Sequence, residues 1–99
     1  MYEFSEGEWI RPMRIKEGFL LRKVAGDFVV VPSGNAMVDF KAMITLNETG
    51  AFLWDLLKEE KTEGDLVQAL LGEYDVDEAT ATEDVGGFVN LLKEKNLLA

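Results

Sequence analysis

Ala42-Met43-Ile44-Thr45-Leu46-Asn47-Glu48-Thr49-Gly50-Ala51-Phe52-Leu53-Trp54-Asp55-Leu56-Leu57 decides the fold, because its apolar period changes partway along. Ala42 to Leu46 is a short apolar run containing Ile44 and Thr45, and it reads as a strand. Beyond it the period becomes helical: Leu53, Leu56 and Leu57, flanked by Phe52, form one apolar stripe. Asn47 suits the N-cap between the two, where its side-chain oxygen can accept a hydrogen bond from a backbone N–H of the first turn. Glu48 adds a negative charge where the helix dipole favours one. A strand therefore runs almost directly into a capped helix.

Upstream, Phe19-Leu20-Leu21-Arg22-Lys23-Val24 and Asp27-Phe28-Val29-Val30-Val31 are aromatic and β-branched runs separated by Ala25-Gly26. Two such runs joined by a two-residue, Gly-containing link predict a β-hairpin. Pro32-Ser33-Gly34-Asn35 is a turn cluster that stops the second strand. Ala36-Met37-Val38 offers a fourth strand beside the three, with a turn near Asp39-Phe40-Lys41. Residues 1–16 have no sustained periodicity and read as a flexible N-terminal tail that includes Trp9, which sets the domain at residues 17–99.

Downstream, Thr62-Glu63-Gly64-Asp65 approximates a capping box and opens a second helix, with Leu66, Val67, Leu70, Leu71 and Tyr74 on one face. Asp77 caps a third helix whose stripe is Ala81, Val85, Phe88 and Leu92, with Val89 beside it. Asn96 is placed to supply the left-handed residue that ends this helix, and Leu97-Leu98 would fold back on the core. Strands followed by three helices give the α+β class.

The chain has 99 residues, which is one domain, and its 47% hydrophobic and 29% charged content is that of a folded protein. It has no cysteine and no histidine. That removes disulfides, thiol nucleophiles, imidazole bases and zinc sites of the Cys/His kind. No apolar run reaches the roughly 18–20 residues that span a bilayer. The acidic N-terminus has no signal-peptide pattern, so the expected location is cytoplasmic, away from membranes. Charge is divided unevenly. Residues 1–46 carry six basic and six acidic side chains, whereas residues 47–99 carry four basic against thirteen acidic. The formal net charge of −9 thus lies in the helical half.

One spaced set of residues carries more than propensity. Leu46-Asn47-Glu48-Thr49-Gly50-Ala51 is followed by Leu53-Trp54, Leu56-Leu57, Thr62, Leu66-Val67, Leu70 and Tyr74-Asp75-Val76. Asp84-Val85, Phe88, Leu92 and Leu97-Leu98 then close it. This pattern resembles the PqqD-like family, whose fold is the precursor-peptide recognition element of ribosomal-peptide modification pathways. The resemblance covers about residues 15–98, and it leaves the N-terminal extension without a counterpart. Asn96 stands where such sequences often have Gly. The resemblance implies a winged helix-turn-helix with the sheet placed before the helices. It also implies a peptide chaperone that holds the leader of a precursor peptide while a separate enzyme, often a radical S-adenosylmethionine protein, modifies the core. The peptide would add as a strand beside the third strand, in a cleft closed by the third helix.

On that reading the peptide-binding residues are Ala42, Met43, Ile44, Thr45 and Leu46 on the strand, with Asp84, Gly87, Phe88 and Leu91 on the helix. An edge strand offers unpaired N–H and C=O groups, so an extended peptide gains main-chain hydrogen bonds there. Gly86-Gly87 in mid-helix costs about 1 kcal/mol per Gly relative to Ala. Missing side chains would let a peptide backbone approach, although a tight helix–sheet contact or a tolerated weak helix would leave the same trace. Trp54 reads as core packing. A basic leader would be drawn to the acidic half in a salt-sensitive way.

Other functions are less well supported. A winged helix that binds DNA needs Lys and Arg against phosphates, but the third helix starts Asp77-Glu78 and carries Glu83-Asp84, which excludes nucleic acid. Glu59-Glu60 and Asp75/Asp77/Glu78 lack the Gly and terminal Glu spacing of a calcium loop, so no metal is expected. No carboxylate pair stands out on a shared apolar cleft, so neither a catalytic residue nor a cofactor is expected. The remaining alternative is an adaptor subunit of a larger complex with no leader ligand. An open strand edge could also pair with a second copy as a homodimer.

Overall fold

The structure, a computed structural model, describes residues 11–33 and 44–99. The hairpin forms as β1 (Phe19–Val24) and β2 (Asp27–Pro32), paired antiparallel with Val24 opposite Asp27 and Phe19 opposite Pro32. Ala25 and Gly26 make the link with φ of 53° and 88°. Both signs match a two-residue turn whose twist suits the flanking strands. β3 (Ile44–Leu46) pairs antiparallel with β2, setting Val30 against Ile44 and Phe28 against Leu46. The strand order is β1-β2-β3. The fourth strand expected at Ala36-Met37-Val38, and the Ala42 and Met43 end of the third, lie outside the described residues.

The helices follow as α1 (Glu48–Leu56), α2 (Glu63–Glu73) and α3 (Glu78–Glu94). Each begins at a side chain that satisfies an otherwise unpaired first-turn donor. Asn47 Oδ1 accepts from the Gly50 N–H at 2.7 Å, and Asp77 Oδ1 from the Thr80 N–H at 2.8 Å. The capping box at α2 is reciprocal: the Asp65 N–H donates to Thr62 Oγ1 at 3.1 Å, and the Thr62 N–H donates to Asp65 Oδ2 at 3.0 Å. At the far end of α3, Asn96 takes a φ of 59°. The Leu97 N–H then donates to the Leu92 carbonyl at 2.8 Å and the Asn96 N–H to Lys93 at 3.1 Å, the paired bonds of a Schellman stop.

The apolar stripes meet in one core of Val30, Ile44 and Leu46 from the sheet and Leu53, Trp54, Leu57, Leu66, Leu70, Val85 and Leu92 from the helices. Trp54 is only 1% exposed, so it is a core residue. Leu71 and Tyr74 are partly buried at its margin, where Tyr74 meets Phe52 edge-on with ring centroids 5.6 Å apart. Desolvation, then the charges of Glu48 and Glu73, raise the Tyr74 hydroxyl above its ordinary value.

Met13 to Lys16, placed with the tail on sequence grounds, are bonded into the domain. Met13 and Lys61 exchange backbone hydrogen bonds at 2.8 and 3.0 Å. The Ile15 N–H donates to Leu57 at 2.9 Å, Lys16 to Leu97 at 2.9 Å, and Ala99 to Arg14 at 2.8 Å. Ile15 is buried among the core residues. No helix among the described residues is long and apolar enough to cross a membrane.

Candidate functional site

β3 pairs with β2 on one side, and among the described residues no strand pairs with its other side. Alternate residues of an antiparallel strand direct both their N–H and C=O to one side, so an edge strand leaves such pairs facing outward. Beside this edge lies a groove of about 320 Å³. One wall is Thr45 and Leu46 of β3, continued by Asn47 and by Thr49, Gly50 and Leu53 of α1. The other is a stripe along α3 made by Glu83, Asp84, Gly87, Phe88 and Leu91.

Local chemistry explains why the walls take this shape. The Asn47 cap turns the chain from strand to helix within one residue, which keeps the first turn of α1 against the end of β3. Leu46 and Phe88 are buried yet reach the groove floor, and Thr45 is exposed. On α3 the spacing 84, 87, 88, 91 follows one helix face. At both Gly86 and Gly87 a Cβ would meet nothing within 4 Å. A tight helix–sheet contact is therefore not the reason for either glycine. Gly87 opens onto the groove, whereas Gly86 does not line it.

Of the residues expected at a peptide site, Thr45, Leu46, Asp84, Gly87, Phe88 and Leu91 come together around this groove. Ile44 turns its side chain into the core and does not line it. Ala42 and Met43 lie outside the described residues. Sequence reasoning missed the α1 wall and Glu83. Gly50 was the available signal, because it stands one helical turn beyond Leu46 at the cap. Among the described residues no group of three or more acidic, His or Cys side chains could hold a metal ion. A second cavity of about 170 Å³, lined in part by Arg11, Met13, Glu63, Lys93 and Leu98, lies away from the strand edge.

Among the described residues, three antiparallel strands, three helices and a groove beside the unpaired side of β3 define an α+β domain of a recognisable class. The chain belongs to the PqqD family: the family described as coenzyme PQQ synthesis protein D (PqqD) matches residues 29–98. No curated protein matches the sequence. Two solved structures are similar. TbiB1 in complex with the TbiA(beta) leader peptide is 27% identical with a TM-score of 0.66, covering 87% of this chain and 94% of that one. Lasso peptide synthetase B1 complexed with the leader peptide is 22% identical with a TM-score of 0.66, covering 88% of this chain and 96% of that one. The second likeness bears on the fold alone.

Proposed function

We propose that this protein holds the leader segment of a ribosomally made precursor peptide and presents it to a separate modifying enzyme, such as a radical S-adenosylmethionine protein. The observation that carries the reading is the groove between the outer side of β3 and α3. An extended peptide laid there would extend the sheet by main-chain hydrogen bonds, and its alternate side chains would fall against Phe88 and Leu91. The solved relative at 27% identity holds a leader peptide, which supports the same use of the fold here. On this reading the bond-making chemistry belongs to the partner enzyme and this chain is not catalytic.

An adaptor role has one observation in its favour. Leu20 and Val24 on β1 are 48% and 54% exposed, an apolar presence at the opposite edge of the sheet. The two readings separate in an amide NMR titration of the full chain with synthetic peptides encoded beside its gene. A leader ligand shifts Ile44 to Leu46 and Asp84 to Leu91. If no peptide moves those amides while a neighbouring protein perturbs β1, the chain is an adaptor and the groove assignment falls.

A further inference from the structure

The groove is chemically uneven along α3. Glu83 and Asp84 stand about one turn before Gly87, and Leu91 about one turn after it, with Phe88 alongside. Among the described residues, the opposite wall supplies hydroxyl and amide groups at Thr45, Asn47 and Thr49 rather than a counter-charge. Among the described residues no lysine or arginine lines the groove, and those of α3 and its C-cap, Lys93 and Lys95, come after the lining stripe has ended. Both carboxylates are exposed, so they keep their hydration until a ligand arrives. Gly87 leaves open space between the acidic and apolar ends.

A ligand that met this surface with a carboxylate would place like charges in a narrow cleft, and a purely apolar ligand would strip water from Glu83 and Asp84 without return. We propose, resting on the peptide-binding reading above, that the occupant is a basic-apolar segment. A lysine or arginine is directed at Glu83 and Asp84, the main chain passes over Gly87, and an apolar side chain lies against Phe88 and Leu91. Leu91 is about 10 Å further along the helix axis than Asp84. About three residues of extended peptide cover that span at about 3.3 Å each, and the reach of long side chains widens the separation of the basic and apolar positions to about two to four residues. The same charges favour encounter at low ionic strength, in keeping with the net charge of −9.

The test is a display selection of random decapeptides on the immobilised full chain, followed by titration of the selected peptides. The expected result is enrichment of Lys or Arg two to four residues from an apolar position. The Glu83→Gln/Asp84→Asn double variant, which keeps shape and removes charge at two exposed sites, should then bind those peptides about three- to tenfold more weakly. It should also show a flatter salt dependence, with the same shifts at Thr45 and Leu46. Selected peptides without a basic position, bound equally by the double variant and still shifting Thr45 and Leu46, overturn the charge proposal and leave the strand-addition reading standing. If no peptide is selected, or the selected ones leave Thr45, Leu46 and Gly87 unmoved, the peptide reading fails and takes this proposal with it.

Discussion

A side-chain carbon added at Gly50 would sit 3.2 Å from the Cβ of Leu46 and 3.3 Å from Oδ1 of Asn47. The Leu46 Cβ is fixed by the strand backbone and cannot rotate away. The first turn of α1 therefore approaches the end of β3 as closely as it does because position 50 has no side chain.

Gly50→Ala is expected to destabilise the fold. Helix propensity would favour alanine by about 1 kcal/mol, but overpacking against a backbone-anchored atom costs about 1–3 kcal/mol. Urea unfolding should give a net loss, larger for Gly50→Val. Because the displaced atoms also form the groove wall, peptide affinity should fall with stability.

Gly86 and Gly87 should part company. Each would point a Cβ into open space, so alanine at either position should raise stability by about 1 kcal/mol. Of these two, Gly87 lines the groove and Gly86 does not. Gly87→Leu should weaken peptide binding while the protein stays folded, and Gly86→Ala should leave binding unchanged. Equal binding by both variants would remove Gly87 from the site.

The helix caps give the acid side of the stability curve a definite sign. Hydrogen bonds from Thr62 hold Asp65 below its ordinary value of 3.8, and those from Thr80 do the same for Asp77. A carboxyl depressed in the folded state stabilises the protein above its unfolded value, and that contribution is lost as pH falls through the folded one. Stability should thus decline below about pH 3.8. Asp65→Asn/Asp77→Asn, which keeps an oxygen acceptor at each cap but cannot titrate, should flatten that part of the curve in thermal melts.

Two left-handed residues can be improved or damaged. Ala25 holds a φ of 53° in the hairpin link, a conformation asparagine tolerates far better than alanine. Ala25→Asn should raise stability by about 0.5–1 kcal/mol. At Asn96, φ 59°, glycine should gain up to about 1 kcal/mol and alanine should lose a similar amount. Chemical denaturation of the four proteins, wild type included, ranks them.

Much of the architecture was legible because its signals are local. Ala25-Gly26 announced the hairpin, Asn47, Thr62 and Asp77 announced the helix starts, and Asn96 announced the stop. Each of these acts through bonds to residues at most a few positions away. Met13 to Lys16 gave no such signal. Their partners are Leu57, Lys61, Leu97 and Ala99, and backbone bonding across that separation leaves no periodicity to read. At the groove, the helical margin of Asp84, Gly87 and Leu91 followed from the position of the buried stripe. The wall built by Thr49, Gly50 and Leu53 did not, since it depends on how closely α1 packs beside β3. Ile44 marks the limit of assigning a whole strand to a site: its backbone lies on the edge strand, but its side chain belongs to the core.

The bonds joining Arg14 and Lys16 to Ala99 and Leu97 have a consequence for biosynthesis. Leu97 is fully buried, so Arg14 to Lys16 find their places only after Leu97 to Ala99 have been made. A nascent chain on the ribosome can curl its hairpin and wind its early helices, yet it cannot close. Ile15 waits without Leu98, its bridge partner, until that residue has been made. Completion of this domain thus waits on the synthesis of Leu97 to Ala99, whose bonds to Arg14 and Lys16 close the longest loop among the described backbone pairings.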